Sequence, residues 1–180
     1  MKHLVAIGSA LALTAVAPLA FGQSVQAYKY DALGRVIVAS SSNGGVDGYI
    51  YDAAGNRTYA NKFTQHLPTT ADRLVGNDGL PLQGYLISAS GGYQLILQAD
   101  GHLQTYNNST AAIVFDGTSK DYDTVSVKMQ TDGNLVRIKR DGSTAAISNT
   151  SGNTGAYAMM QDSGVFVVKN SAGTVIWTLN

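Results

Sequence analysis

Polar side chains stand at alternate positions in the stretch MQTDGNLVRI, residues 129–138. Gln130 and Asn134 each offer amide donors and a carbonyl acceptor, and Asp132 between them offers only acceptors. Val136 lies at the next alternate position, so we expect a small apolar patch beside the three polar side chains. A sugar ring presents neighbouring hydroxyls, each a donor and an acceptor, with C–H groups between them. The pattern therefore predicts a carbohydrate-binding site.

The same phrase occurs three times along the chain. The other copies are LQADGHLQTY, which begins at Leu97, and MQDSGVFVVK, which begins at Met160. The first glutamines of the copies, Gln98, Gln130 and Gln161, are separated by 32 and 31 residues. The tail STAAI also recurs, at residues 109–113 and 143–147, and SAGTVIW at 171–177 is a third version. Repetition at a fixed period indicates one structural unit used three times.

Each unit predicts two strands joined by a tight turn. YQLIL, residues 93–97, has apolar residues at alternate positions, so one face of the strand can be buried. ADGH and TDGN place Asp-Gly at the turn, and LVRI supplies the returning strand. One small sheet buries too little apolar area to be stable alone, so three sheets must pack together around an axis. The candidates for this central core are Val114 or Phe115, Ile147 and Trp177.

Residues 72–180 resemble the bulb-type, or monocot, mannose-binding lectins, whose repeated motif is Gln-x-Asp-x-Asn-x-Val-x-Tyr. The lead-in GYLISASGGYQLILQ and the closing GTVIW belong to the resemblance as well. It implies an all-β fold, a β-prism II of three four-stranded antiparallel sheets with pseudo-threefold symmetry. It also implies mannose binding in shallow sites without a metal ion or other cofactor. Members of the family often form homodimers by exchanging the last strand, here GTVIWTLN.

The motif is incomplete in every copy. The second copy matches at four positions and has Ile138 in place of the tyrosine; the matching residues are Gln130, Asp132, Asn134 and Val136. The first copy matches at Gln98, Asp100 and Tyr106, with His102 for Asn and Gln104 for Val. The third copy keeps only Gln161 and Val167, so no sugar is expected there. An alternative is that Asp and Asn persist only to form the turns.

The chain before residue 72 divides into three segments. Residues 1–22 have the lysine, apolar run and small residues of a signal peptide cut before Gln23. Residues 23–62 contain YKYDALGRV and YIYDAAGNRT, which resemble the YD repeats of Rhs-type proteins and predict a β-hairpin-like arm. Residues 63–71 read as a linker to the lectin-like domain at 72–180.

Composition narrows the function further. The 12 basic and 12 acidic residues give no net charge, which offers no electrostatic reason to bind nucleic acid. The chain has no cysteine, and His66 and His102 stand in no nucleophile–base or metal-binding pattern, so we expect neither an enzyme nor a metal site. The prediction is a secreted or periplasmic bacterial lectin, not membrane-inserted after signal removal, for mannose-containing glycans or cell-surface polysaccharide. The alternative is an interaction or bacterial antagonism protein, similar to bacteriocins, that uses the fold for surface contacts.

Overall fold

The computed structural model describes residues 4–6, 26–41, 45–51, 53–64, 71–117 and 119–179, and its regular elements in these ranges are strands. The N-terminal strands β1–β5 are Leu4–Ala6, Gln26–Tyr30, Val36–Ser41, Gly45–Tyr51 and Arg57–Thr64. The strands β6–β11 are Arg73–Leu74, Gly79–Pro81, Tyr85–Ile87, Tyr93–Leu97, Leu103–Asn107 and Ile113–Asp116. The strands β12–β17 are Thr124–Met129, Leu135–Lys139, Thr144–Ala146, Tyr157–Met160, Phe166–Lys169 and Val175–Thr178. Within these ranges no helix has the length and apolar character needed to cross a membrane.

Three four-stranded antiparallel sheets form the larger part of the structure, as the sequence predicted. The first sheet has the order β11-β10-β9-β8, the second β14-β13-β12-β7 and the third β17-β16-β15-β6. Each sequence copy supplies three consecutive strands of one sheet. The segment that precedes the copies supplies the fourth, because β6, β7 and β8 pair in turn with the third, second and first sheets. This segment therefore ties the three sheets together.

The core lies between the three sheets, on the face where alternate residues of the central strands point inward. The fully buried large side chains of the sheets and of the strands β6–β8 are Leu74, Leu80, Leu86, Leu95, Leu97, Leu103, Met129, Leu135, Met160 and Phe166. Burying each such side chain contributes about 1.5–3 kcal/mol. The alternation seen in YQLIL is confirmed, since Leu95 and Leu97 are buried while Gln94 before them and Ile96 between them are partly exposed.

The residues expected at the centre of the core lie at its margin instead. Val114 is 46% exposed, and Phe115, Ile147 and Trp177 are partly buried against the outside of the core. The reason is the edge of the sheet to which they belong: Val114, Phe115 and Trp177 lie in β11 and β17, and Ile147 follows β14. The strands at the opposite edges, β6, β7 and β8, contribute the buried Leu74, Leu80 and Leu86, which fill the centre together with the two middle strands of each sheet.

The N-terminal strands form a separate sheet in the order β1-β2-β3-β4-β5. β2–β5 are an antiparallel meander of three consecutive strand pairs, β2–β3, β3–β4 and β4–β5, and β1 adds to β2 in parallel. Each tyrosine phrase ends its strand at the second tyrosine and turns at a glycine with positive φ, Gly34 and Gly55, as the sequence predicted. β5 continues through Thr64 into the predicted linker, whose residues 65–70 lie outside the described ranges, as does most of the predicted signal peptide.

The arm contacts the three-sheet domain beside the second sheet. β4 approaches β12, and Arg140 donates a hydrogen bond from Nη1 to the Tyr49 carbonyl oxygen at 3.5 Å. The buried side chains of Ile37 and Val38 in the arm belong to the same apolar cluster as the core of the domain.

Candidate functional site

Each repeated phrase forms the turn between the two middle strands of its sheet. In the second copy the backbone amide of Gln130 donates to the backbone carbonyl of Asn134 at 2.8 Å, and the backbone amide of Gly133 donates to the backbone carbonyl of Gln130 at 3.1 Å. The first and third copies make the same pair of backbone bonds, from Gln98 and from Gln161. The Asp-Gly turn predicted from the sequence is thereby confirmed, and the polar side chains are carried on three equivalent turns.

Each turn is bonded to the loop that leads into the next sheet. The Asp121 amide, just before β12, donates to the Asp100 carbonyl at 3.0 Å, and the Gly152 amide, before β15, donates to the Asp132 carbonyl at 2.9 Å. In the third turn the Asp162 carboxylate accepts from the Ser90 amide, before β9, at 2.8 Å. The contacts therefore run in a cycle through the three sheets, and the turns have a structural role besides any binding role.

Close approach explains the glycine at the second turn. Gly133 has a φ of +91°, and a Cβ built on it would lie 2.2 Å from the Asn153 carbonyl oxygen. A Cβ built on Gly101 would likewise lie 2.0 Å from the Asp121 carbonyl oxygen. A side chain at either position would push the turn away from the neighbouring loop.

The carboxylate and the amide of the second copy are held by that neighbouring loop. Asp132 Oδ2 accepts from Ser151 Oγ at 2.7 Å, while Oδ1 accepts from the Asn134 amide at 3.0 Å. Asn134 Oδ1 accepts from Ser148 Oγ and from the Thr150 amide, both at 3.2 Å. The Ser151 hydroxyl, followed by the Asn134 amide, holds the pKa of Asp132 below its usual value. Asp132 is therefore a fixed, ionised acceptor at an exposed turn.

The remaining polar groups of the second copy are open to a ligand. Gln130 is half-buried, and its side-chain amide has no hydrogen-bond partner among the residues that the structure describes. The Nδ2 of Asn134 likewise has none there, so this copy offers donors from Gln130 and Asn134 beside the Asp132 acceptor. Val136 is 2% exposed and Ile138 9% exposed, so neither presents the apolar patch that the sequence suggested. Both belong to the apolar cluster of the core.

In the first copy the candidate side chains bind one another. Gln98 Nε2 donates to the Tyr106 hydroxyl at 3.0 Å, and that hydroxyl donates to Gln104 Oε1 at 2.5 Å. The His102 ring lies between two carboxylates, with Nδ1 2.5 Å from Asp100 Oδ1 and Nε2 2.9 Å from Asp116 Oδ1. These side chains form a closed network in place of an open polar array.

Two residues that the sequence analysis missed complete this network. Asp116 accepts from Gln104 Nε2 at 2.5 Å, and Lys120 Nζ lies 3.2 Å from Asp100 Oδ2. Asp116 comes from β11, where the pairing of β10 with β11 sets it opposite Gln104. The spacing of residues within the repeated phrase does not predict the Asp116 contact, because that contact depends on how two strands pair.

The network shifts the pKa values of its acids and of its tyrosine. Burial raises the pKa of Asp100, but hydrogen bonds from His102 and Lys120 outweigh it and hold that pKa below its usual value. The Gln104 amide, and next the His102 ring, lower the pKa of Asp116. Burial, with the charges of Asp116 and Asp100, raises the pKa of Tyr106. Both carboxylates are therefore ionised at neutral pH.

The third copy carries little polar chemistry. Ser163 and Val165 stand where the second copy has Asp132 and Asn134, and Val167 is buried. The neighbouring Asp162 is engaged with the Ser90 amide. Among the residues described in the structure, no group of His, Asp or Glu side chains is arranged to hold a metal ion.

Comparison with solved structures identifies the architecture. The chain is similar to a lectin of Japanese Marasmius oreades, with 24% identity and a TM-score of 0.54 over 62% of this chain and 92% of the lectin. It is also similar to monomeric monocot mannose-binding lectins from Gastrodia elata, with 28% identity and a TM-score of 0.50 over 61% of this chain and 96% of that one. No family model and no curated protein matches the chain. The three-sheet domain has the β-prism II fold of lectins.

Proposed function

We propose that this lectin-like protein binds carbohydrate without catalysis and that its second copy is the principal site for a mannose-type sugar. One observation carries the proposal: Gln130 and Asn134 present unengaged amide groups beside the Asp132 carboxylate, on an exposed turn that the neighbouring loop already holds in place. A ligand that binds there does not have to order the side chains of Asp132 and Asn134 first. Preorganisation of this kind improves affinity by lowering the entropy cost of binding.

The chemistry of the second copy suits adjacent hydroxyls of one sugar ring. The ionised Asp132 accepts a hydrogen bond from one hydroxyl, and the amide of Asn134 donates to the oxygen of a neighbouring hydroxyl. Gln130 supplies both a donor and an acceptor at the edge of the turn. The similarity to the Gastrodia elata lectins, which are described as mannose-binding, supports a mannose-type ligand.

The first and third copies are expected to contribute less to sugar binding than the second. In the first copy, Gln98, Asp100, His102 and Tyr106 have partners within the protein, so a sugar has to displace hydrogen bonds that already exist. A single shallow site is expected to bind with a Kd of about 1 mM, or about −4 kcal/mol. Useful binding to a glycan-covered surface then requires several sites together, whether in one chain or in an assembly.

We also propose that residues 1–22 direct export of the chain and are then removed, which would put the sugar site in the bacterial periplasm or outside the cell. The closed network of the first copy favours a second candidate function, in which part of the lectin fold serves protein or surface contacts. The YD-like phrases suggest that such contacts serve bacterial antagonism. Purified protein spotted on related bacterial strains would then inhibit growth.

Retention on mannose resin tests the principal proposal. Gln130→Ala removes a side chain that makes no hydrogen bond to the described protein, so the fold is expected to survive while retention is lost. Gln161→Ala is the matched control, because it makes the same change at the same turn position of the third copy. Equal retention by the wild type and Gln130→Ala would reject the second copy as the site. A glycan array then identifies the preferred sugar.

A further inference from the structure

One lysine lies on the same face of the second sheet as the candidate sugar site. Lys128 comes two residues before Gln130, and successive side chains of a strand point to opposite faces, so these two side chains share a face. Lys128 also pairs with Val136 of the motif across β12 and β13. Lys128 is therefore a direct neighbour of the positions that we assign to sugar binding.

The first copy shows that the position of Lys128 borders the site. The equivalent residue there is Ile96, which pairs with Gln104 at the place of the motif valine. Gln104 accepts a hydrogen bond from the Tyr106 hydroxyl, and that hydroxyl accepts from Gln98. The side chains around this position thus meet one another on one face of the sheet.

A positive charge at this position occurs in the second copy alone of the three. The equivalent residues of the first and third copies are Ile96 and Met159, which are both apolar. Lys128 is partly exposed and has no hydrogen bond or ion pair within the described residues. By contrast, the amino groups of Lys120 and Lys139 lie 3.2 and 3.4 Å from aspartate oxygens. The charge of Lys128 is therefore available to a ligand.

The open part of this face ends at Lys128. The next side chain on the same face of β12, Ser126, is 0% exposed, and Ile138 opposite it is 9% exposed. The corresponding residues of the first copy, Gln94 and Tyr106, are partly exposed. Two residues along a strand span about 7 Å, so the distance from the motif glutamine to Lys128 suits one sugar ring.

We propose that the second copy prefers a sugar that carries a negative charge and that Lys128 binds the anionic group. This inference rests on the proposed binding of sugar by the second copy. Hydroxyls at one edge of the ring bind Gln130, Asp132 and Asn134, and an anionic group across the ring reaches Lys128. The Asp132 carboxylate repels an anion at the turn, so the charge of the ligand fixes its orientation.

The ligand class is an acidic hexose, with the charge supplied by the carboxylate of a uronic acid or by a phosphate ester. A lysine ammonium is a compact point charge with three donors, so it accepts either group without the planar geometry that arginine favours. Acidic polysaccharides present such sugars in many copies. Several weak contacts to one polysaccharide then act together.

Calorimetric titration with three matched ligands tests the inference: methyl mannoside, its uronic acid and its phosphate ester at the primary hydroxyl. The wild type is expected to bind at least one of the two anions about tenfold more tightly than the neutral mannoside, as a hydrogen bond to a charged group allows. Added salt should reduce this advantage, because ions screen exposed charges. The anion that binds more tightly identifies the source of the charge.

Lys128→Met separates the charge from the rest of the site. It gives the second copy the residue that the third copy has at Met159, so the fold is expected to persist. This variant should bind all three ligands with the affinity of the neutral mannoside. Lys169→Met is the matched control, because Lys169 also has no hydrogen bond or ion pair within the described residues but belongs to the third copy. It should bind as the wild type does.

The outcomes distinguish this inference from the proposed function. A preference for the anions that persists in Lys128→Met, or that Lys169→Met removes equally, would overturn the role of Lys128. A wild type that binds the three ligands equally would overturn it too, leave the sugar site standing, and show that the lysine only covers the strand with its apolar stem. A wild type that binds none of the three would overturn both proposals. Gln130→Ala should lose all three ligands.

Discussion

Ser151 donates a hydrogen bond from its hydroxyl to Asp132 Oδ2 at 2.7 Å. The loop that leads into the third sheet therefore holds the carboxylate on the turn of the second sheet. The candidate binding group is thus fixed by a residue 19 positions further along the chain. The same turn is also bonded through its backbone to Gly152. Structural and binding roles therefore overlap at this turn, and experiments must separate them.

Ser151→Ala is expected to weaken sugar binding while the fold persists. Loss of the hydroxyl removes the largest contribution that lowers the pKa of Asp132, so that pKa should move up toward its usual value. NMR titration of the carboxyl carbon measures this shift, and retention on mannose resin measures binding. Ser143→Ala is the matched control, because Ser143 Oγ donates to Asp141 at 2.6 Å in another turn. This control should move the pKa of Asp141 up toward its usual value and leave retention on mannose resin unchanged.

Gly133→Ala is expected to lower the free energy of unfolding more than Gly152→Ala. Both glycines have a φ of +91°, so both substitutions place alanine in the left-handed region, at a cost of about 1–2 kcal/mol. Only Gly133 has a neighbour in the way, the Asn153 carbonyl oxygen, whereas nothing lies within 4 Å of a Cβ at Gly152. The difference should reach about 1–3 kcal/mol in urea unfolding. Equal losses would mean that the turn relaxes away from the loop freely.

His102→Asn is expected to open the first copy to sugar. Asparagine restores the residue type of the motif and is too short to span from Asp100 to Asp116, which the imidazole ring bridges. Calorimetric titration with a mannoside should then report an additional binding site per chain. His66→Asn makes the same chemical change in the predicted linker and should leave the number of sites unchanged. An unaltered stoichiometry for His102→Asn would show that its bridge is not what closes this copy.

Acid is expected to destabilise the protein partly through the first copy. The pKa values of Asp100 and Asp116 are lowered in the folded chain, so their contribution is present above the usual value of 3.8 and is lost as pH falls through the folded values. Thermal unfolding between about pH 5 and about pH 2 should therefore show a falling Tm. Asp116→Asn should make the fall smaller. A slope equal to that of the wild type would contradict this assignment.

The repeated phrases were sufficient to predict the three equivalent sheets. Alternation in YQLIL correctly assigned Leu95 and Leu97 to the core, and Asp-Gly correctly marked the turns. These features are local, because successive side chains of a strand point to opposite faces and a turn position with positive φ favours glycine. Local patterns also located the strands and turns of the arm.

Only the tertiary structure decided which polar groups remain open to a ligand. Asp116 closes the first copy because β11 pairs with β10, and Val136 of the second copy is buried in the apolar cluster of the core. The same holds for the core, where Val114 in the edge strand β11 is 46% exposed whereas Leu86 in β8, at the opposite edge of that sheet, is fully buried. The periodicity of a chain shows which side chains share a face of a strand. How strands pair and which loops cross a turn depend on contacts between distant segments, and these contacts determine whether each copy of the motif is open or closed.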